Sequence, residues 1–479
     1  MTATPSAATP ATPARPPGPS SAWFGIPLLR AMARDYLGFV QGLQHAHGDV
    51  SYMRLGFERA YDVFSPELVR ELLVDHADSL VRWERGIAVF AQSHGHSVLI
   101  AEGARWQRQR RLLQPGFSPK RLKDYGALMV AATARRLQAL PVQGPVEVDF
   151  EHEMTQLTMD VILRTLFSSE AADEALAAEE AVRVLTHTAM HEMFMPMTLP
   201  DWLPLPGKAR KRWALRALDE LVLHHITQRR TRPRGADATP DLLDMLLAVR
   251  DEQGQGLSAR EIRDECMTTF QAGHETTATA LTWWGHVMAS HPAAAERATA
   301  EVDAALSGGT RLPPSGPRAP GIEDLGALPY LTATLKEAMR LHPPVAALMS
   351  RRLVRDVQLG DVQRGGWRLP KGALVRITPW VLHHDPRWFD EPETFRPERF
   401  LAADAALPRG AYMPFGTGPR VCLGQHFALA EMTLIAAMLL QRFALQRIPG
   451  EPAPQPQLNV TLRPAHGLRL RLLPRGHVA

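Results

Sequence analysis

The chain has two cysteines, Cys266 and Cys422, and the second stands where a sulfur could do chemistry. It lies in Pro414-Phe415-Gly416-Thr417-Gly418-Pro419-Arg420-Val421-Cys422-Leu423-Gly424, directly before an apolar run from Gln425 to Phe443 that reads as a helix. The glycines permit a tight backbone loop. A sulfur just ahead of a helix N-terminus meets free N–H groups and the positive end of the helix dipole, which favours the thiolate that binds metals. Arg420, two residues before the cysteine, offers a positive charge to a carboxylate. A lone cysteine is ordinarily a small core residue. The glycines, the arginine and the helix start together favour a ligand.

A second set is Ala272-Gly273-His274-Glu275-Thr276-Thr277. A threonine hydroxyl within a helix ordinarily bonds back to the carbonyl four residues earlier, here that of Ala272. Gly273 carries no side chain, so the helix can open locally and let a group approach its backbone. A third set is Trp106 and Arg110, one helical turn apart in a run that also contains Arg105, Arg108 and Arg111. Taken alone this is a basic, solvated helix. Glu337 and Arg340 share a helix face by their spacing of three. Such a pair is ordinarily exposed and contributes little.

The elements that must position these residues are mainly α with small β-sheets. Residues 1–20, rich in Pro, Ala and Thr, read as a disordered tail, and residues 21–479 as one domain. A helix is expected over 27–46, then a hairpin of Val50–Leu55 and Arg59–Phe64. Residues 66–250 read as helical, broken at Pro196–Pro206 and at Arg229–Pro240, the latter a surface loop. Ser258 and Glu261 form a capping box for a helix of some 30 residues, ~48 Å long at 1.5 Å per residue. A shorter helix over Tyr330–Leu341 stops at His342-Pro343-Pro344. Short strands are expected around Gly366–Leu369, Ala373–Thr378, Leu458–Leu462 and Leu468–Leu472.

With 479 residues, 45% of them hydrophobic, the chain can bury a large core. A net charge of only +4 gives no reason to expect nucleic acid. Two cysteines do not make a disulfide scaffold and suit a reducing cytosol. No stretch is long and apolar enough to span a bilayer. A cytoplasmic protein without a membrane anchor is expected.

The cysteine segment matches Phe-x-x-Gly-x-Arg-x-Cys-x-Gly at every fixed position, the heme-binding signature of the cytochrome P-450 family. The chain resembles the soluble bacterial members of that family from about residue 20 to its end. The resemblance implies the cytochrome P-450 fold and heme b (iron protoporphyrin IX), with Cys422 as the axial thiolate. It implies that Arg420, Trp106, Arg110 and Arg351 contact the heme propionates, with Arg352 the alternative to Arg351. Phe415, Ala272 and Gly273 would also lie against the heme. Thr276 would organise proton delivery to bound dioxygen, with Glu275 the acid beside it. Glu337, Arg340 and Arg399 of Pro397-Glu398-Arg399-Phe400 would form a buried structural network. His383-His384-Asp385-Pro386 departs from the His-Arg-Asp of many members.

The implied function is monooxygenation: one oxygen atom from O2 enters a C–H bond or alkene of an apolar small molecule. The candidates are a lipid, a terpenoid or another secondary-metabolite scaffold. Only 55 residues follow Gly424. Electrons would therefore come from separate proteins, a ferredoxin or flavodoxin with its reductase, and Arg105, Arg108 and Arg111 would form a docking patch for an acidic donor. By the same resemblance the pocket would draw on Val81–Ile100, Leu185–Pro206, Met267–Ala272, Val345–Met349 and Val460–Thr461. A monomer is expected. Alternatives are a non-oxidative heme-binding or sensor protein and a peroxide-driven peroxygenase. The Glu275–Thr276 pair favours activation of O2 over both.

Overall fold

The computed structural model describes residues 15–476, apart from positions 142, 170–171, 196, 236–238, 308–317, 362–365 and 402–406. Most of the tail expected over residues 1–20 lies outside the described residues. Its last part is tied down: the Tyr52 N–H donates to the Pro17 carbonyl at 2.8 Å, and the Arg15 guanidinium lies 3.7 Å over the Tyr52 ring. The ordered chain therefore begins by Arg15, earlier than the expected boundary. Two compact units follow. One comprises Met1–Gly86, Ala347–Pro392 and Leu407–Val421; the other comprises Ile87–Ala346, Glu393–Ala406 and Cys422–Ala479.

In the first unit the helix expected over 27–46 is two, α1 (Ile26–Arg34) and α2 (Tyr36–His47). Asp35 separates them because its backbone is extended and its carboxylate caps α2, accepting the Gly38 N–H at 2.9 Å. The expected hairpin forms as β1 (Val50–Leu55) and β2 (Glu58–Val63), with Val50 opposite Val63. With β3 (Leu80–Arg82), β4 (Arg351–Leu353) and β5 (Leu374–Arg376) it makes one five-stranded sheet in the order β1-β2-β5-β4-β3. Only the β2–β5 pairing is parallel. Val50, Tyr61, Val63, Leu72, Leu353 and Val375 build the core beside it. Arg376 is buried there and its charge is matched by Asp62 at 2.7 Å. The strand expected around Gly366–Leu369 forms as Trp367–Leu369, paired with Val357–Leu359.

The second unit is helical. It contains α3 (Gly103–Leu113), α4 (Pro119–Gln138), α5 (Phe150–Phe167), α6 (Ala172–Met193), α7 (Lys208–Thr231), α8 (Ala259–Ser290), α9 (Pro329–Leu341) and α10 (Gln425–Arg442). The capping box at Ser258 is present in both directions: Ser258 N–H donates to Glu261 at 2.9 Å, and Glu261 N–H to Ser258 Oγ at 3.2 Å. From there α8 runs 32 residues and is buried on nearly every face. Its two tryptophans place their indole N–H groups on partners, Trp283 on the Leu462 carbonyl (2.7 Å) and Trp284 on Thr334 (3.0 Å).

Two expectations need correcting in this unit, and a third is met. The break expected from Arg229 starts later, because α7 continues to Thr231 and Arg229 is clamped by Asp241 (2.6 Å) and Asp244 (2.5 Å). The strand expected over Leu458–Leu462 is a reversal between β6 (Pro456–Leu458) and β7 (Leu462–Pro464), closed by Asn459 N–H on the Thr461 carbonyl at 2.9 Å. The Glu337–Arg340 pair is fully buried on α9, as the family resemblance implies and its spacing alone does not. Two bonds of 2.8 Å join the pair, Arg399 Nε donates to Glu337 at 3.2 Å, and the Arg396 N–H donates to it at 3.0 Å. Removing one partner from a buried pair of this kind costs about 3–5 kcal/mol. Among the described residues no helix is long and apolar enough to cross a membrane.

Candidate functional site

From Asp264 to Gly285 every residue of α8 is buried except Thr269, Ala272, Gly273 and Thr276. That spacing, i, i+3, i+4, i+7, puts the four on one stripe. A helix otherwise enclosed by protein therefore faces open space along about two turns. Small side chains keep the space open. Thr276 Oγ1 donates to the Ala272 carbonyl at 2.9 Å, as expected, and Thr277 Oγ1 donates to the Gly273 carbonyl at 3.0 Å. The expected opening of the helix at Gly273 is absent, since α8 is regular throughout. The glycine has another reason: a Cβ there would lie 2.8 Å from Ile162 Cδ1 of α5.

Glu275 follows Gly273 by two residues but faces protein. It accepts from Thr186 of α6 at 3.0 Å and from Thr461 at 2.9 Å, and Arg463 Nη2 of β7 lies 3.2 Å away. Its oxygens thus go to these partners rather than to Thr276. The other amino group of Arg463 is 3.6 Å from Glu151, whose carboxyl burial pushes above its ordinary value against the pull of Arg463. Behind the stripe Glu431 of α10 is fully buried, and desolvation holds its carboxyl well above the carboxylate range although Thr277 bonds to it.

Cys422 precedes α10 by three residues. The residue is exposed, yet the surrounding protein is dense enough that burial raises the thiol above its ordinary value. The Gly424 N–H and the Arg110 guanidinium pull the other way and are outweighed. Arg110 and Cys422 do come within electrostatic reach, and Trp106 lies half-buried one turn before Arg110 on α3. Cys266, by contrast, is fully buried in α8 and its thiol is pushed far up.

The basic run on α3 is not an open patch. Arg108 is bound by Asp251 (2.7 Å) and Glu261 (3.5 Å), and Arg111 by Glu252 (3.0 Å). Arg105 alone of the three is exposed without such a pairing among the described contacts. The docking patch expected from these arginines is thereby largely neutralised from within the chain.

In the first unit, Arg351 lies on β4 and its side chain donates to the Met349 carbonyl. Arg352 is held by Glu58 at 2.5 Å and Glu84 at 2.8 Å. Phe415 and Arg420 are half-buried in the signature loop. Gly418 of that loop has φ +74°, and a Cβ on it would lie 2.1 Å from the Leu73 carbonyl oxygen, so only glycine fits.

In the second unit the donor set fits a heme iron. There is one accessible thiol, a guanidinium within its field, and a helix stripe whose small side chains leave room for a flat macrocycle. A coordinating metal deprotonates a thiol outright, which removes the objection that burial protonates Cys422 in the bare chain. Arg463, Thr186 and Glu431 had no local signal in the sequence.

A family model described as cytochrome P-450 matches residues 16–470. Cyclooctatin synthase of Streptomyces melanosporofaciens is 35% identical over 94% of both chains. Cyclooctat-9-en-7-ol 5-monooxygenase of the same organism is 34% identical over 92% of both. Pentalenene oxygenase of Streptomyces avermitilis is 32% identical, covering 93% of this chain and 94% of the relative.

Proposed function

The chain belongs to the cytochrome P-450 family, and from that premise we propose that it hydroxylates or epoxidises a terpenoid scaffold, with heme b ligated by Cys422. It is a monooxygenase that works with heme iron, dioxygen and an apolar substrate. The terpenoid class is supported by the names of three relatives, cyclooctatin synthase, cyclooctat-9-en-7-ol 5-monooxygenase and pentalenene oxygenase. We assign the electrons to a ferredoxin or flavodoxin with its reductase, and the setting to the cytoplasm, with the enzyme a monomer.

When bound, the heme supplies the redox chemistry, in which two electrons, two protons and O2 give one inserted oxygen and one water. The protein orients the reactants and moves protons. Arg110 and Trp106 of α3 would hold a propionate, and Arg420 and Arg351 keep the propionate roles that the family resemblance implies. Arg352 is committed to Glu58 and Glu84 and is left out. Ala272 and Gly273 give the dioxygen room. Thr276 donates its own proton to the Ala272 carbonyl. Its two oxygen lone pairs are therefore free to accept, so it receives a hydrogen bond from a water or reacting group on the stripe. Glu275 is the acid behind it and must loosen from Arg463 to feed that position.

The observation that carries this reading is the accessible stripe of Thr269, Ala272, Gly273 and Thr276 on an otherwise buried helix. The first test is the absorption spectrum of the reduced protein with carbon monoxide, for wild type and Cys422→Ser. A strongly red-shifted Soret band, lost in the variant, is expected. Turnover of a terpene olefin under labelled dioxygen should then place one labelled atom in the product. Heme bound without the red shift would overturn the ligand assignment, and oxidation of fatty acids in preference to terpenes would overturn the substrate class.

A further inference from the structure

A cleft of about 660 Å³ opens in the second unit, at the end of α10 opposite Cys422. Leu137 near the end of α4 and Met438 of α10 are both buried and form its apolar floor, joined by Leu473 of the strand Arg469–Pro474. Arg442 and Arg475 also line it, and among the described residues no carboxylate does.

The two arginines are neighbours, since the Arg475 N–H donates to the Arg442 carbonyl at 2.9 Å. Their side chains differ. Arg475 is saturated: its amino groups reach Asp303 at 3.1 and 2.6 Å, and one of them also donates to the Leu440 carbonyl at 2.7 Å. The guanidinium of Arg442 has no acceptor among the described contacts, and its Nε is sealed from water without a partner. The Phe443 ring lies 5.8 Å from its Cζ, near the limit of a cation–π contact. As the last residue of α10, Arg442 meets the negative end of the helix dipole, which would account for a solvated arginine. It does not account for a sealed donor, because native proteins seldom leave a buried charged group without its hydrogen bond. Nη1 and Nη2 are the donors left for the cleft to use.

One unmatched guanidinium asks for one negative charge, and its planar fork suits a carboxylate. The floor suits a hydrocarbon body, in keeping with sites that are mostly apolar and carry a few placed polar groups. A dianion would leave charge uncovered, because Arg475 is already matched by Asp303. We propose that this cleft binds an amphipathic carboxylic acid, with the carboxylate on Arg442 and the hydrocarbon on Leu137, Met438 and Leu473. The 18 residues of α10 span about 27 Å, so the cleft is a second site, independent of the substrate taken at the heme.

The test is equilibrium dialysis of the full-length, heme-loaded protein with radiolabelled octanoate, run beside the octanoate-induced change in the Soret band, which reads the heme pocket. Arg442→Met should weaken the dialysed site at least about tenfold, the loss expected for a hydrogen bond to a charged group, and leave the Soret change as in wild type. Gly144→Leu should do the same by filling the cleft, since a Cβ there meets nothing within 4 Å. Octan-1-ol, which lacks the charge, should bind at least about tenfold more weakly than octanoate. Binding by both variants equal to wild type would overturn the proposal, as would displacement of octanoate by an equal concentration of inorganic phosphate. Octanoate binding confined to the heme pocket, seen as a dialysed loss that the Soret change matches, would overturn it too. A lower melting temperature of Arg442→Met with octanoate binding intact would assign the side chain to the helix end instead.

Discussion

Arg463 reaches Glu275 from β7, its Nη2 3.2 Å from Oε1, and so ties the acid of α8 to a strand near the C-terminus. The same guanidinium also faces Glu151. Its position sets how readily the Glu275 carboxylate leaves its pocket. Arg463→Met would leave Glu275 buried with only the hydroxyls of Thr186 and Thr461. A hydrogen bond to a charged group contributes about 1.5–3 kcal/mol, so a loss near 2 kcal/mol is expected in urea unfolding. The ratio of product to NADH consumed should fall, and Arg463→Lys should restore part of both. Wild-type coupling and stability in Arg463→Met would remove Arg463 from the site.

Thr276→Ala removes a stripe hydroxyl whose proton is already committed to the Ala272 carbonyl and whose lone pairs are left to accept. General acid–base groups contribute roughly 100-fold or more to the step they serve. NADH should still be oxidised, while product falls at least about tenfold and hydrogen peroxide rises in its place. Thr276→Ser keeps the hydroxyl and should stay close to wild type. Peroxide and product measured in one reaction check both variants.

Stability should decline above pH 6.5. Burial in α8 pushes the Glu265 carboxyl up to about 8, against the pull of the Val98 N–H (2.9 Å). Asp264 and Glu261 push it the same way and Arg105 opposes them. The folded state therefore keeps a proton that the unfolded chain loses above about 4.5, so this contribution is full below that pH and is lost as pH rises through 8. His94 has the opposite sense. Burial lowers it from 6.5 to about 4, so its effect weakens the fold as pH falls through that window. Above 6.5 the Glu265 slope is no longer offset by His94. A fall on the order of 1 kcal/mol from pH 6.5 to 8 is expected in urea titrations. Glu265→Gln should flatten it, leaving the share of Glu431, which shifts in the same sense.

Gly273→Ala should destabilise by about 1–3 kcal/mol, the usual range for an extra methyl in a packed core. The clash is with Ile162 Cδ1. Ile162→Val removes that carbon, so the double variant should recover most of the loss. Melting temperatures of the four proteins in the cycle decide it. No recovery would place the role of Gly273 on the open side of α8.

What could be read from the sequence was local or carried by a dense signature. Ser258 and Glu261 sit three residues apart, and their capping box needs nothing else to form. Glu337, Arg340 and Arg399 were legible through the family pattern, although their spacing alone points to a surface pair. Asp35 was missed because apolar runs on both sides hide a cap between two helices. Residues 458–462 alternate like a strand, but β6 and β7 pair across them. Arg108 looked free because Asp251 and Glu261, its partners, arrive from more than 140 residues away. Arg463 is 188 residues from Glu275, and no spacing rule joins such a pair. The behaviour of Cys422 depends on the density of protein around it, which a helix start does not report.

The contrast between the two cysteines gives the enzyme a built-in gauge of its own assembly. Cys266 is sealed inside α8, so Cys422 is the single thiol that a reagent can reach in the heme-free chain. If Cys422 ligates the iron, every molecule that takes up heme removes one reactive thiol from the count. Titration with a chromogenic disulfide would then read the loaded fraction directly, without reference to the heme spectrum. The same arithmetic applies to damage, since an oxidant that meets the chain before the heme does would strike the one sulfur the enzyme needs.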